Sequence, residues 1–129
     1  MTDEKKFIFE TIDPIDNNVK LSSNTFDFHI AGENGDHPDR HFLTQGNNIG
    51  KVESIIQNPT MILKDRIHDN RINHFGTTYF DSQNTIKNVK IVSEVDENGD
   101  YEVVTVIPSK GINEKFEGRI LYDLYSNKK

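Results

Sequence analysis

The chain has 129 residues, a formal net charge of −6 and no cysteine. This length accommodates one domain with one modest core, and the absence of cysteine excludes disulfides and thiolate metal sites. The negative charge disfavours a protein that holds nucleic acid on a broad cationic surface, because phosphate neutralisation dominates such binding. No stretch has the roughly 18 apolar residues of a membrane span, and the acidic start MTDEKKFIFETID is unlike a secretory signal. We therefore predict a cytoplasmic protein without membrane contact.

The first 20 residues are predicted to form an N-terminal arm or an edge strand. Phe7 and Phe9 lie on one side of a segment with a period of two, which indicates a strand, and Asp13-Pro14 ends it. The polar residues 15–25 are expected to be a loop. Residues 21–125 are assigned to a single α+β domain, and residues 126–129 to a frayed tail.

The clearest helical pattern lies between residues 28 and 65. Apolar residues recur there on one helical face, at Ile49, Val52, Ile55 and Ile56. Asn58-Pro59 ends this helix, because proline cannot continue the hydrogen-bond ladder. A shorter helix is predicted to begin at His37-Pro38, since proline suits the first helical position. Together the two segments predict a helix-loop-helix unit.

The second half of the chain has the patterning of strands. Residues 71–80, 86–95, 101–107 and 119–124 are rich in β-branched and aromatic residues or alternate with a period of two. Asp96-Glu97-Asn98-Gly99 is a strong hairpin signal, because Asn-Gly accommodates positive φ. The expected fold class is α+β, with an N-terminal helical region packed on a four-stranded antiparallel sheet.

The order of these motifs resembles a known layout. His29-Ile30, His37-Pro38, the helix before Asn58-Pro59, the strand from Arg71 and the hairpin strand EVVTVIPSK are similar to phage-type members of the barnase, EndoU, colicin and RelE-like nuclease superfamily. The resemblance covers about residues 20 to 125. It implies a toxin-like or mobile-element ribonuclease that cleaves RNA without metal or cofactor. The expected partners are RNA and either a protein inhibitor or a basic protein.

The resemblance also implies roles for particular residues. His29 and His37 would be the acid and base of a transphosphorylation, since imidazole exchanges protons near neutral pH. Arg71 would stabilise the phosphoryl charge, and Thr105 would hydrogen-bond the phosphate or orient a histidine. Substrate-binding roles fall to three further cations, Arg40, Arg66 and Lys64, of which Arg40 and Arg66 are alternatives to Arg71.

Each of these residues also has a purely structural interpretation. His37 would cap a helix, Thr105 would be an ordinary strand residue, and Lys64, Arg66 and Arg71 would form a solvated edge. His37 and His41 have the spacing of two helical metal ligands, but no third ligand is evident, so no metal site is predicted. The acidic charge and the AGENGD insertion depart from the family pattern. The net charge favours an alternative, a non-catalytic acidic binding module, such as an immunity or phage accessory protein, that docks a basic protein partner.

Overall fold

The computed structural model describes residues 6–26, 43–44, 47–80, 85–108, 111–113 and 115–125. Within them the chain forms seven strands and two helices. The strands are β1 (Phe7–Ile12), β2 (Asn18–Ser22), β3 (Met61–Asp65), β4 (Arg71–Phe80), β5 (Thr85–Val95), β6 (Tyr101–Pro108) and β7 (Glu117–Asp123). The helices are α1 (Ser23–Thr25) and α2 (Asn48–Gln57). No helix of the described residues combines the length and apolarity that crossing a bilayer requires.

All seven strands belong to one sheet, in the order β1-β2-β6-β5-β4-β3-β7. Neighbouring strands are antiparallel except β2 and β6, which pair in parallel through two residue pairs. The prediction of a helical region on a four-stranded antiparallel sheet is therefore wrong. The sheet is larger because β1, an unexpected β2, and β3 directly after α2 join it, and it is mixed because β2 and β6 pair in parallel.

Helix α2 forms where the apolar spacing predicts it. Val52, Ile55 and Ile56 are buried, and the helix ends at Asn58, whose backbone N–H donates to the carbonyl of Ser54. Pro59 follows and cannot extend the ladder. The helix lies close to β4 at Gly76, where an added Cβ would come within 2.7 Å of Cγ2 of Ile55. Gly76 therefore allows the close approach of helix and sheet.

The β5–β6 hairpin is confirmed. The carboxylate Oδ1 of Asp96 accepts the backbone N–H groups of Asn98 and Asp100 at 2.8 and 3.0 Å, and Gly99 has a φ of 85°. An aspartate that caps its own turn, followed by a residue with positive φ, is favourable hairpin chemistry.

The centre of the sheet is covered on both faces. Residues 72–76 of β4 and 89–93 of β5 are buried without alternation, as expected for strands with a layer on each side. The face that includes Gly76 packs on α2, and the main core lies there, formed by Phe9, Val19, Leu21, Phe26, Leu43, Val52, Ile55, Ile56, Phe80, Val89, Ile91, Val103 and Val106. We call the opposite side, to which Phe75 and Lys90 belong, the outer face.

Candidate functional site

Three of the residues singled out from the sequence, His29, His37 and Arg40, lie outside the described residues. The arrangement of the proposed acid and base is therefore still a prediction. The remaining four, Arg71, Thr105, Lys64 and Arg66, lie on or beside strands of the sheet.

Arg71 begins β4 and is held by a carboxylate of the next strand. Its Nε donates to Oε2 of Glu94 at 2.9 Å, and the two residues are direct cross-strand neighbours. Both side chains are partly exposed, at 29% and 38%. One edge of the guanidinium is thus already used by a carboxylate within the sheet.

Thr105 lies on β6 and faces the same side as Arg71. Its cross-strand neighbour is Val92, which has the same orientation as Glu94 because the two are two residues apart. Arg71 and Thr105 are separated by β5, so about 10 Å lies between their strands. The structure places them on one face but not in contact.

Lys64 and Arg66 lie at the end of β3. The ammonium of Lys64 donates to the backbone carbonyls of Asp69 and Arg71, the latter at 3.4 Å, and so ties down the turn between β3 and β4. Arg66 is exposed, and its backbone N–H donates to the carbonyl of Phe116 at 2.8 Å. The contacts of Lys64 are those of a residue that stabilises a turn.

A row of charged residues crosses the sheet at the end where Arg71 lies. Lys20 pairs with Glu102, Glu102 with Glu94, and Glu94 with Arg71. Two carboxylates therefore lie directly opposite each other, which disfavours folding.

We call this region the acidic corner; its carboxylates belong to Glu94, Asp96, Glu97, Asp100 and Glu102. Among the described residues, the corner also includes the cations Arg71 and Lys20, and Nζ of Lys20 lies 3.5 Å from Oδ2 of Asp100.

A buried imidazole and carboxylate pair lies on the helix side of the sheet. Nε2 of His74 lies 2.8 Å from Oδ2 of Asp13, and both side chains are fully buried. Burial raises the pKa of Asp13, but hydrogen bonds from His74 and from Asn17 outweigh it, and the net pKa lies below its ordinary value. Burial, with the charge of Asp13, raises the pKa of Tyr101. The contact between the two side chains holds the β1–β2 turn against β4. Because both side chains are buried, a substrate cannot reach them.

A second buried pair lies on the outer face. Nζ of Lys90 donates to Oε1 of Glu117 at 2.5 Å, and Oε2 of Glu117 accepts the backbone N–H of Asn113 at 2.6 Å. The Lys90 ammonium also lies 5.9 and 5.5 Å from the ring centres of Phe75 and Phe116, within cation–π range. These contacts fix the segment before β7 over the sheet.

Two accessible hollows of the described residues lie elsewhere, on either side of β4 near Thr77. One hollow of about 190 Å³ opens on the outer face, and one of about 310 Å³ opens between α2 and β4; both are lined by Thr60, Gly76 and Thr77. The polar lining of the two hollows consists mainly of hydroxyl, amide and backbone groups. Lys51 is the charged residue in the lining of the hollow between α2 and β4. Neither hollow contains a carboxylate or an imidazole from the described residues.

Comparisons with known proteins give no relative: no family model, no curated protein and no solved structure matches this chain. Among the described residues, no group of three or more His, Asp or Glu side chains is placed to hold a metal ion. No sequence pattern indicated the pairing of Asp13 with His74, because the two residues are 61 positions apart in the chain. The pairing of Lys90 with Glu117 was hidden for the same reason.

Proposed function

We propose that this chain is a non-catalytic binding module that docks a basic segment of a protein partner on the acidic corner. The observation that carries this proposal is the direct opposition of Glu94 and Glu102 across β5 and β6. Like charges in this position oppose folding, and among the described residues the corner has five carboxylates beside the cations Arg71 and Lys20. A lysine- or arginine-rich segment would add positive charge beside the opposed carboxylates, and the negative electrostatic field of the corner would speed its association.

Four of the described ionisable groups that are buried support binding rather than catalysis. A general acid or base must reach the proton that it transfers. Asp13 and His74 are bonded to each other beneath the surface, and Lys90 is bonded to Glu117. These four residues therefore stabilise the fold.

The competing proposal is the metal-independent ribonuclease, in which His29 and His37 exchange protons with RNA. It assigns Arg71 to the phosphoryl group, whereas Arg71 lies 2.9 Å from Glu94. Cleavage would require the arginine to serve both a carboxylate and a phosphate.

One experiment separates the two proposals. A lysine- and arginine-rich peptide is titrated calorimetrically into the wild type and into the double variant Glu97→Gln/Glu102→Gln, at low and high salt. The control is Glu10→Gln/Asp16→Asn, which removes the same charge at exposed positions of the β1–β2 hairpin. We expect about threefold to tenfold weaker binding only in the first variant, with the difference reduced by salt.

In the peptide titration, equal weakening in both double variants would refute the acidic corner as the binding site.

The wild type, His29→Ala and His37→Ala are also incubated with labelled RNA in excess EDTA. Cleavage by the wild type that is lost in both histidine variants would instead establish the ribonuclease.

A further inference from the structure

Among the described residues, strand β4 is paired on only part of one side. On that side β3 begins at Met61, whose neighbour is Phe75, and the N–H of Thr60 donates to the carbonyl of Phe75 at 2.8 Å. Beyond Phe75, none of the described strands pairs with β4 there. The carbonyl of Tyr79 on this side is bonded by the ammonium of Lys51 at 2.5 Å.

The backbone of Thr77 faces this open edge. Alternate residues of a strand direct their N–H and C=O groups to the same side. Since the carbonyls of Phe75 and Tyr79 point to the open side, both backbone groups of Thr77 point there too. Within the described residues neither group has a partner on this side. An incoming strand could therefore form a pair of hydrogen bonds with Thr77.

The two hollows flank this edge on opposite faces of the sheet. The outer hollow is lined mainly by apolar groups, including Phe75, Val89 and Ile112. The hollow on the helix side has more polar groups, including Lys51, Ser54 and Asn58, beside the apolar Ile55. Successive side chains of a strand point to opposite faces. A strand laid along Thr77 would therefore place one side chain in the apolar hollow and the next in the polar one.

We propose that the open edge of β4 binds an extended segment of a partner protein as an added strand, with an aliphatic side chain in the outer hollow and a neighbouring acidic side chain beside Lys51. Main-chain hydrogen bonds give affinity in this mode of recognition, and pockets for alternate side chains give specificity. The positive charge of Lys51 selects the acidic residue by complementarity.

The inference rests on the proposed binding function but uses a separate surface. Thr77 is six residues along β4 from Arg71, or about 20 Å from the acidic corner. The partner segment expected at this edge is apolar and acidic, whereas the segment expected at the corner is basic. The two contacts can therefore fail independently.

The test begins with selection from a displayed library of short linear peptides on the wild type. We expect enrichment of an aliphatic residue next to Asp or Glu. Thr77→Pro removes the outward N–H while the bonds to β5 are kept, because proline is tolerated on an open edge. It should weaken binding of a selected peptide about tenfold or more, whereas Thr77→Ala should bind like the wild type. Methylation of the peptide nitrogen opposite Thr77 should have the same effect without any change in the protein.

A matched pair of surface variants tests the outer hollow. Ile112→Glu places a charge in the hollow, and Ile120→Glu places one on β7, at a similarly exposed position. Only Ile112→Glu should abolish peptide binding. Enriched peptides that bind Thr77→Pro and Ile112→Glu as well as the wild type would overturn the proposal, as would a selection that enriches nothing.

Light scattering over a range of protein concentrations tests whether the β4 edge binds a second copy of this chain instead of a different partner. Self-association that is lost in Thr77→Pro would show that two β4 edges pair with each other, and would overturn the proposal of a different partner. If Glu97→Gln/Glu102→Gln binds the selected peptide normally but loses the basic peptide, both surfaces act as proposed. Failure of the basic peptide alone refutes the acidic corner and leaves the β4 edge intact.

Discussion

Nε2 of His74 lies 2.8 Å from Oδ2 of Asp13, and neither side chain is exposed to solvent. Oδ1 of the same carboxylate accepts the backbone N–H groups of Ile15 and Asn17 at 3.0 and 2.9 Å. A single carboxylate therefore organises the β1–β2 turn and joins it to β4.

The first prediction concerns the acid stability of this contact. The pKa of Asp13 is lower in the folded chain than its ordinary value of 3.8, so the folded state binds this proton less tightly than the unfolded state does. The stabilisation is therefore complete above the ordinary pKa, and it is lost as the pH falls through the lower folded value. We expect Asp13→Asn to lower the free energy of unfolding near neutral pH and to weaken its dependence on acid. Urea unfolding at a pH of about 7 and of about 3 measures both effects. Asp16→Asn, in the same turn but exposed, should change neither, and an unaltered acid dependence in Asp13→Asn would contradict the assignment.

The second prediction concerns Lys90 and Glu117. Lys90→Met leaves the Glu117 carboxylate buried without its cation, and should lower the free energy of unfolding by about 3–5 kcal/mol. Lys90→Met/Glu117→Gln should be more stable than the single variant, because the uncompensated charge is gone. A double-mutant cycle in urea measures the coupling. Lys115→Met, which removes an exposed lysine two residues before Glu117, should have little effect. Additive losses in the cycle would show that the two residues are not coupled.

The third prediction concerns the contact of α2 with β4. Gly76→Ala introduces a methyl group 2.7 Å from Cγ2 of Ile55, and we expect a loss of about 1–3 kcal/mol. Gly111→Ala meets no atom within 4 Å and should leave stability nearly unchanged. Truncation of the helix residue in Ile55→Ala/Gly76→Ala makes room for the methyl group, so the double variant should lose less than the sum of the two single variants. Thermal or urea unfolding of the four variants is the measurement; equal stability of the two alanine variants at glycine positions would refute the close approach.

The fourth prediction concerns the β5–β6 hairpin. Gly99 has a φ of 85°, in a region that side chains with a Cβ adopt only with strain, so Gly99→Ala should lose about 1–2 kcal/mol. Gly99→Asn should lose less, because asparagine tolerates positive φ better than alanine does. Urea unfolding ranks the three proteins, and an alanine variant as stable as the wild type would contradict this conformation.

The sequence predicted those elements whose signal is local. The apolar face of α2, its stop at Asn58 and Pro59, and the Asn-Gly turn before β6 each depend on residues a few positions apart, and the structure contains all of them. The strand at Phe7 and Phe9 was also found from its alternation. These features could be predicted because the residues that cause each of them are close together in the sequence.

Features that depend on distant partners could not be predicted. Strand β2 has five residues, and its buried Val19 and Leu21 are separated by a single lysine, a pattern too short to distinguish from a loop. Lys64 was interpreted as a possible phosphate ligand, yet its ammonium bonds the carbonyls of the next turn. A lysine shows its charge in the sequence but not the groups that the fold places beside it.

The parallel junction of β2 with β6 has a consequence for the order of folding. It comprises two residue pairs, and the bond of His74 with Asp13 that reinforces it closes a loop spanning 61 residues. The β5–β6 hairpin closes over a few residues, whereas the N-terminal hairpin can dock only after β4 and β6 are in place. Because closing a long loop is entropically unfavourable, its docking belongs to the late part of the reaction. Weakening this junction should therefore accelerate unfolding while leaving the refolding rate almost unchanged.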